Sequence, residues 1–544
     1  MITYNCVLFR FIIFCLQMNR IHNPVIHSST VWDLIIIGGG ATGLGTALDA
    51  ASRGYKTLLV EQSDFAKGTS SRSTKLVHGG VRYLAQGDIS LVKHALKERG
   101  LLEKNAAHLV NREEFIIPCY NWFSVIKYLT GLKLYDWLAG KYSFGKSKYL
   151  SKKDALKKIP EIKAKGLKGA ISYFDGKFDD ARLAINIAQT AIEHGATLLT
   201  YTKVTGLKKD HDSITGIETE DILTGNKISF SGKVVINATG VFVDDILKMN
   251  NPDSKNMVRP SQGVHIVLDK KFLNSESALM IPKTSDGRVL FAVPWHKHLL
   301  VGTTDTPLNE HSLEPRALKE EVDFILNTAS SYFTQKPMES DILSVFSGLR
   351  PLAAPTKSDG NSTKEISRDH KLMVSAKGLI TITGGKWTTY RRMAEETVDL
   401  AILEAKLSAK GCLTQNLKIH GCTTKKDGNY YDIYGTDRIQ IEALIAETPE
   451  LSTKLHPDFP YNKAEVIWAI RNEMAETIED VLSRRLRVLF IDAQAAIEMS
   501  TTIASILAKE LQADKDWETN QVEIFNKLAS GYIYQSNSRE NKVA

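Results

Sequence analysis

The first regular pattern in the chain is a short apolar run that ends in glycines. Residues 33–37 are almost wholly apolar and rich in isoleucine, which is typical of a buried parallel strand. A glycine cluster at 38–43, a helix of small residues and a second apolar run at 57–60 follow in that order. This order predicts one β-α-β unit.

The same pattern returns much later in the chain. Apolar runs at 234–237 and 379–383 both lead into glycines, which predicts a single parallel sheet interrupted by insertions. Runs at 264–268, 288–294 and 299–302 have the character of antiparallel strands between them. Beyond residue 405 apolar positions recur every three or four residues, which indicates helices.

These patterns predict an α/β chain with a discontinuous Rossmann-like cofactor domain, an inserted and mostly antiparallel β substrate domain, and a C-terminal all-α domain. The expected segments are an N-terminal extension over 1–30, a cofactor domain over 31–105, 170–262 and 340–400, a substrate domain over 106–169 and 263–339, and a helical domain over 405–544. The extension is a poor match to a signal peptide, and a second methionine at Met18 favours an upstream start-codon artefact over that alternative.

Composition narrows the functional classes. The chain of 544 residues is 43% apolar and 24% charged, which excludes a disordered protein or a small disulfide-stapled module. The net charge of +7 is too weak to predict a nucleic-acid partner, but it suits an anionic substrate or membrane surface. Five scattered cysteines predict neither a metal site nor a redox dithiol, and they favour a reducing compartment. No apolar run approaches the ~20 residues of a membrane-spanning helix.

The glycine cluster has the spacing of a dinucleotide site. Gly38, Gly40 and Gly43 permit a tight strand-to-helix turn and bring backbone amides close to a pyrophosphate at the helix N-terminus. Glu61 ends the second strand 18 residues after Gly43, where a carboxylate can bind the ribose hydroxyls. Strand, glycines, helix, strand and acid in this register predict a dinucleotide cofactor.

Two further segments favour FAD over NAD. The run 68–76 offers hydroxyls and amides that can surround a second, longer part of the cofactor. The run 384–391 opens another helix, whose positive end can face the pyrimidine edge of a flavin and stabilise the anion formed on reduction.

At this level of detail the chain resembles a known family. From Asp33 to about residue 510 it is similar to the FAD-dependent glycerol-3-phosphate dehydrogenases. The motifs that carry the resemblance are residues 71–84 (SRSTKLVHGGVRYL), 302–305 (GTTD), 347–352 (SGLRPL), 383–386 (TGGK), 471–477 (RNEMAET) and the pair Arg484-Arg485. The resemblance implies oxidation of sn-glycerol 3-phosphate to dihydroxyacetone phosphate by hydride transfer to flavin N5. It further implies electron delivery to a quinone and a peripheral position on the inner face of the cytoplasmic membrane.

The resemblance also implies a set of site residues. For the substrate, it places Arg82, Arg350 and Lys386 around the phosphate, with Tyr83, His265, Asp286 and Arg368 in the same pocket. For FAD, it implies Gly38, Gly40, Thr42, Gly43, Glu61, Thr69, Ser70, Ser71, Lys75, His78, Gly79, Gly240, Gly384, Gly385 and Thr388. A phosphate dianion requires several cations, and the fork of an Arg guanidinium suits its oxygens.

His265 is the first choice for the base that accepts the substrate's hydroxyl proton, because an imidazole can accept a proton at neutral pH. Its apolar surroundings leave open that it is a core histidine. His78 could equally only brace the flavin loop, and Asp286 could be a hairpin residue.

Residues 121–150 combine aromatic residues, among them Trp122, Phe123, Tyr128, Tyr135, Trp137 and Tyr142, with the lysines Lys127, Lys133, Lys141, Lys146 and Lys148. This mixture suits a helix lying in a membrane interface, and packing on the substrate domain is the alternative. Three other functions stay open: an oxygen-using oxidase, an amino-acid-oxidising relative, and a flavin-binding scaffold without turnover. The assembly state is also open, with a homodimer as one alternative.

Overall fold

The computed structural model describes residues 30–84, 87–211, 213–284, 287–353 and 370–535; the side chains of Arg82 and Ala353 lie outside that description. The strands are β1 (Val31–Ile37), β2 (Thr57–Val60), β3 (Leu76–Val77), β4 (Val110–Cys119), β5 (Lys148–Leu150), β6 (Gly169–Phe178), β7 (Thr197–Leu199), β8 (Thr202–Asp210), β9 (Ser213–Asp221), β10 (Lys227–Asn237), β11 (Val258–Asp269), β12 (Ala278–Ile281), β13 (Leu290–Trp295), β14 (His298–Gly302), β15 (Thr306–Pro307), β16 (Ser344–Ala353), β17 (His370–Val374) and β18 (Ile380–Gly384). The helices are α1 (Ala41–Ser52), α2 (Val81–Leu84), α3 (Ile89–Asn105), α4 (Trp122–Ala139), α5 (Lys152–Lys158), α6 (Asp180–Glu193), α7 (Val243–Asn250), α8 (Lys319–Tyr332), α9 (Tyr390–Glu404), α10 (Arg438–Glu447), α11 (Lys463–Asn472), α12 (Val488–Ile491), α13 (Ala493–Leu511) and α14 (Lys515–Ser530).

The first sheet is the predicted cofactor sheet. Its path runs β17-β18-β10-β1-β2-β7, and the pairs from β18 to β7 are parallel. Ile36 at its centre pairs with Leu59 on one side and Ile236 on the other, and all three are fully buried. Helices α1 and α6 cover one face of this sheet, and a second buried cluster that includes Phe230 and Ile246 covers the other face, which explains why its strands are apolar on both faces. The predicted β-α-β unit and the late return of the sheet are therefore confirmed.

The second sheet is largely antiparallel and has ten strands in the order β15-β11-β14-β13-β12-β4-β6-β3 along its main path. Strand β16 pairs with β11 over ten residues, and β5 pairs with β6. The buried core beneath it contains Val264, Ile266, Leu299 and Val301 from the runs predicted as strands. This sheet is the inserted β domain of the predicted fold.

Some strands of the second sheet come from segments that the sequence analysis places in the cofactor domain. Strand β6 lies within 170–262 except for its first residue, and β16 lies within 340–400, yet both belong to the second sheet. The physical reason is long-range pairing, since β4 pairs antiparallel with β6 along ten residues. The chain therefore crosses between the two sheets more often than its local pattern indicates.

The C-terminal region is helical, as predicted. Helices α11, α13 and α14 pack around a core that includes Ile470, Ile503 and Phe525. A short π-helical turn, Asp480–Arg485, lies between α11 and α12 and carries buried charges. Within the described residues, no helix is long and apolar enough to cross a membrane.

Candidate active site

The glycine turn after β1 is built by close backbone contacts. Gly38 has φ +110°, and a Cβ at Gly43 would lie 1.9 Å from the carbonyl oxygen of Gly38. Any side chain at Gly43 would therefore push the strand-to-helix turn open. Helix α1 begins directly after Gly40, so its first backbone N–H groups point toward the space beyond β1.

Glu61 closes one side of this turn. Its carboxylate accepts hydrogen bonds from the backbone amides of Gly39, at 2.6 Å, and Ser63, at 2.9 Å. Burial raises the pKa of Glu61, although these two amide donors oppose the shift. The next segment, residues 61–72, which we call the cofactor loop, continues from this carboxylate. Within it, the Ser70 hydroxyl accepts a hydrogen bond from the first amide of α1 at 2.9 Å.

A cavity of about 270 Å³ lies over the glycine turn. The predicted cofactor residues that line it are Gly38, Gly40, Thr42, Glu61, Thr69, Ser70, Gly240, Gly384 and Gly385. A second cavity of about 310 Å³ continues from it, and both share Thr69, Pro351, Gly384, Gly385, Lys386 and Trp387. A glycine turn at one end, a carboxylate beside it and an elongated paired cavity fit FAD, a long dinucleotide.

Two glycines and the register of β11 with β16 build the polar wall of the second cavity. Arg350 lies opposite Ser261, so it shares a face of the sheet with His265, four residues along β11. A Cβ at Gly263 would lie 2.3 Å from Arg350 Nη2, and a Cβ at Gly302 would lie 2.3 Å from His265 Cδ2. Because both positions are glycine, the two side chains can lie close against the sheet.

His265 is 2% exposed and stacks on Phe346, with ring centroids 5.1 Å apart. Its Nε2 lies 2.9 Å from the hydroxyl of Thr74, and its Nδ1 has no hydrogen-bond partner among the described residues. Burial, reinforced by the positive charges of Arg350 and Lys75, lowers the pKa of His265 well below its usual value. The imidazole is therefore neutral at pH 7 and able to accept a proton.

The cations of this wall are held by neighbouring groups. Arg350 donates from Nη2 to the Thr303 hydroxyl at 3.1 Å, and its Nη1 lies 3.4 Å from Asp305. The Lys386 ammonium lies 3.7 Å from the centre of the Tyr83 ring. Together, Arg350 and Lys386 make this wall positive.

The cavity's other wall is apolar. It is lined by Leu76, Val81, Tyr83, Phe115, Tyr173, Met280, Val289 and Phe291. These side chains belong to the cluster into which α4 packs its buried face. One cavity thus joins a cationic wall to an apolar wall beneath α4.

Not every predicted residue is found on a cavity lining. The backbone of Arg82 lies in α2 but its side chain is outside the description, and Asp286 and Arg368 lie outside the described residues. His78 and Thr388 line the second cavity and are bonded to each other, with the His78 amide donating to the Thr388 hydroxyl at 3.2 Å. Gly43 and Ser71 do not line either cavity.

Lys75 and Gly79 differ from the expectation that they contact FAD. The Lys75 ammonium is bound by Asp180, at 2.8 Å, and by the carbonyl of Ser71, at 2.6 Å, so it supports the cofactor loop from behind. The Gly79 amide donates to the Tyr135 hydroxyl at 2.8 Å. A lysine in a hydroxyl-rich run resembles a phosphate ligand in sequence, but its buried carboxylate partner comes from a distant helix.

Sequence reasoning also missed some of the lining. Thr303, Thr304 and Asp305 line the second cavity, where Thr303 and Asp305 hold Arg350, and the first cavity includes Trp387. The GTTD motif was a signal for the first three, since it stood out as part of the resemblance without a role. Trp387 Nε1 donates to the Ser70 carbonyl at 2.8 Å, a contact that no local pattern reveals.

Comparisons with known proteins show the family of the chain. A family model described as FAD dependent oxidoreductase matches residues 33–400, and one described as the C-terminal domain of alpha-glycerophosphate oxidase matches 379–518. The chain is 38% identical to the mitochondrial glycerol-3-phosphate dehydrogenase SDP6 of Arabidopsis thaliana, over 94% of this chain and 87% of that protein. It is 39% identical to the human mitochondrial glycerol-3-phosphate dehydrogenase, over 92% of this chain and 74% of the human protein.

Solved structures show the same relationship. The glycerol-3-phosphate dehydrogenase of Bacillus halodurans, solved with FAD, superposes with a TM-score of 0.77 at 28% identity, covering 94% of this chain and 97% of that one. The FAD-bound L-alpha-glycerophosphate oxidase of Mycoplasma pneumoniae, at 18% identity and a TM-score of 0.55, covers 71% of this chain and 97% of its own and shares the fold. With its glycine turn, paired cavities and C-terminal helices, this chain is a member of the FAD-dependent glycerol-3-phosphate dehydrogenase family.

Proposed function

We propose that this protein oxidises sn-glycerol 3-phosphate to dihydroxyacetone phosphate. The observation that carries the proposal is the second cavity, in which Arg350 and Lys386 line the same space as a neutral His265, next to the FAD-binding glycine turn. A three-carbon phosphoester carries a dianion at one end and a secondary alcohol near it. Those two groups match a cationic wall and a proton acceptor within one small cavity.

Arg350 and Lys386 have different roles in this proposal. Arg350 presents a planar fork that can bind two phosphate oxygens, while Lys386 adds a point charge above Tyr83. Arg82 is proposed as a third cation on the strength of the motif it belongs to. Tyr83, Asp286 and Arg368 stay proposed neighbours of the substrate on the same grounds.

His265 is the proposed base for the hydroxyl at the central carbon. Its neutral imidazole takes the hydroxyl proton, so that the electron pair of the O–H bond becomes part of the new carbonyl. Bound FAD supplies, at its N5 atom, the acceptor for the hydride that leaves the same carbon. The chain's own contribution is to hold the phosphate so that this carbon stays in place during the transfer.

An anaerobic titration tests the substrate. Glycerol 3-phosphate added to the purified holoenzyme should bleach the flavin spectrum, whereas glycerol, which lacks the phosphate, should not. Bleaching by glycine would instead support the amino-acid-oxidising alternative. A spectrum that no substrate bleaches would leave the scaffold alternative and defeat the proposal.

A quinone is the proposed electron acceptor. The apolar wall of the second cavity suits a lipid-soluble ring and lies beneath α4, whose outer face is itself apolar. After bleaching, a short-chain quinone should restore the flavin spectrum much faster than air does. Faster recovery in air, with stoichiometric hydrogen peroxide, would support the oxidase alternative.

A peripheral membrane contact through α4 is part of this proposal. Phe123, Ile126, Leu134 and Trp137 are all exposed at helical spacings along one side of α4. Exposed lysines flank them, among them Lys127 and Lys141. Rings at the acyl boundary with ammonium groups at the phosphates are the arrangement of an interfacial helix.

Vesicle binding tests this face. Phe123→Glu should reduce co-sedimentation with vesicles that contain an anionic phospholipid, because it places a charge at the acyl boundary. Met338→Glu is the matched control, since Met338 is similarly exposed (63%, against 75% for Phe123) but lies outside α4. Equal binding by both variants would contradict the contact.

For the location of the protein in the cell, we propose the inner face of the cytoplasmic membrane. Recovery of the protein in a mitochondrial fraction would replace that assignment.

A further inference from the structure

The cofactor loop has little regular structure of its own. Among residues 61–72, the regular structure in the described fold is a single 3-10 turn, Thr69–Ser71, and the remainder is turns and bends. Yet Glu61, Lys67, Thr69 and Ser70 line the first cavity. A segment without a strand ladder must be held by side-chain contacts if it is to keep a binding shape.

Several of those contacts come from the C-terminal helical domain. Asp64, fully buried, is bound by the guanidinium groups of Arg484 and Arg485; Arg485 Nη2 lies 3.0 Å from Asp64 Oδ1. Burial raises the pKa of Asp64, but the charges of Arg485 and Arg484 outweigh it, so the net pKa is lowered and the carboxylate is ionised. A buried carboxylate of this kind needs its cationic partners in place.

A second contact extends from the same turn. Lys67 donates to Glu479 at 2.9 Å, and Glu479 in turn accepts from Arg484 at 2.9 Å. The side chains of Lys67 and Glu479 are each 17% exposed, so solvent screens this pair only partly. The pair and the Asp64 cluster together form one connected network.

Two more contacts hold the edges of the loop. Asp480 accepts from the Tyr201 hydroxyl at 2.7 Å, and the Tyr201 amide donates to the carbonyl of Ser63 at 2.9 Å. At the far end, Arg72 Nη2 lies 3.1 Å from the hydroxyl of Tyr532, which follows the last helix. The loop is thus bound near its start, at its middle and at its end by residues from 479 to 532.

We propose that the C-terminal helical domain holds the cofactor loop in its FAD-binding shape, with Glu479, Arg484 and Arg485 as positioning residues. None of the three lines either cavity, so they act through Asp64 and Lys67 and not by touching FAD. A loop already held in shape loses less conformational entropy on binding, and a looser loop lowers the fraction of protein that is competent to bind.

Glu479→Gln is the sharpest test, because it removes a charge from the network without touching the cavity. The readout is the rate of FAD release from diluted holoenzyme, followed by the gain in flavin fluorescence. We expect release to accelerate about three- to tenfold. We also expect faster hydrogen exchange of the amides of residues 61–72.

Glu510→Gln is the matched control. Glu510 is in the same domain, pairs with Arg471 at 2.6 Å and has a side chain 14% exposed, but among the described residues it forms no hydrogen bond or ion pair with the loop. Its FAD release should stay at the wild-type rate. Equal release from both variants, with only their melting temperatures lowered, would reduce Glu479 to a structural role and overturn the proposal.

A double-mutant cycle with Lys67→Met separates positioning from direct contact. If Lys67 acts through Glu479, its loss should accelerate FAD release in the wild type and have little effect in the Glu479→Gln background. The same acceleration in both backgrounds would show that Lys67 and Glu479 act independently, which would also overturn the proposal. These readouts follow FAD alone, so a wrong substrate assignment would not affect them.

Discussion

At the scale of single residues, the site depends on glycines as much as on the charged and titratable side chains beside them. Gly263 and Gly302 leave the space in which Arg350 and His265 lie against the second sheet. Burial then determines the protonation state of His265, because desolvation and two nearby cations disfavour the imidazolium. An isolated histidine in solution would be partly protonated near neutral pH, whereas this one is neutral.

Removing the fork of Arg350 should weaken substrate binding specifically. In Arg350→Met, we expect KM for glycerol 3-phosphate to rise roughly 10- to 100-fold, because charge-assisted hydrogen bonds to the phosphate are lost. Steady-state kinetics with an artificial dye acceptor measures this. Arg438→Met is the control, since Arg438 is similarly exposed (26%, against 22% for Arg350) but pairs with Glu442 in the C-terminal domain. An unchanged KM in Arg350→Met would remove Arg350 from the phosphate site.

Replacing His265 should slow the chemical step. In His265→Gln, the anaerobic rate of flavin reduction should fall about 10²- to 10⁴-fold, the usual contribution of a general base. His298→Gln is the control, because His298 stacks on Phe459 and does not line either cavity. An unchanged rate of flavin reduction in His265→Gln would show that another group is the base.

The lowered pKa of His265 also predicts a pH profile. A base that stays neutral across the range keeps its activity, so the wild-type rate of flavin reduction should be flat between pH 6.5 and 8. The substrate phosphate titrates near pH ~6, which places it below this window. An inflection at pH 6.5 or above would show that His265 has an ordinary pKa or is not the base.

At the scale of elements, the β1-turn-α1 unit positions the cofactor through backbone geometry. The turn brings Gly38 and Gly43 into direct contact and sets the amides of Gly39 and Ala41 against Glu61 and Ser70. No other residue type at these glycines preserves that contact.

Helix α4 acts through its side chains instead, because it buries one side against the apolar cavity wall and exposes the other.

A single methyl group tests the turn. Gly43→Ala should abolish most FAD binding, since its Cβ would lie 1.9 Å from the Gly38 oxygen. The measurement is flavin absorbance per mole of purified protein. Gly131→Ala, in α4 with open space around the added Cβ, is the matched control and should retain full flavin content. Normal flavin in Gly43→Ala would show that the turn is not in contact with the cofactor.

At the scale of the whole molecule, the C-terminal domain is joined to the rest by buried ion pairs. Arg487 pairs with Asp179 at 2.9 Å, in addition to the Arg484 and Arg485 contacts with Asp64. Burial raises the pKa values of Asp64, Asp179 and Glu479, but arginine charges outweigh it and hold all three pKa values below their ordinary range.

This arrangement predicts acid sensitivity with a definite sign. A carboxyl whose pKa is lower in the folded state adds stability that is complete above its unfolded pKa of about 4 and is lost as the pH falls below it. The melting temperature should therefore fall steeply below pH ~4.5, and less steeply in Glu479→Gln, which has one such group fewer. Parallel curves for the variant and the wild type would contradict a lowered pKa at Glu479.

The sequence by itself determined the β-α-β unit, the dinucleotide site and the helical C-terminal region, because glycine spacing and apolar periodicity act over a few residues. It also predicted Tyr83, His265, Arg350 and Lys386 for the substrate pocket and His78 and Thr388 for FAD, and in the structure all six line one cavity. Only the tertiary structure decided that β6 and β16 belong to the second sheet, since strand pairing over long distances depends on register and burial.

The same physical reason governs the side-chain partners. The sequence around Lys75 predicts a cofactor ligand. In the structure, its ammonium donates instead to the carboxylate of Asp180, which α6 brings against the loop. Asp64 and Arg484 are 420 residues apart in the sequence, so no local pattern predicts that they pair. Local spacing determines which chemistry is available, and three-dimensional packing decides which charged groups meet.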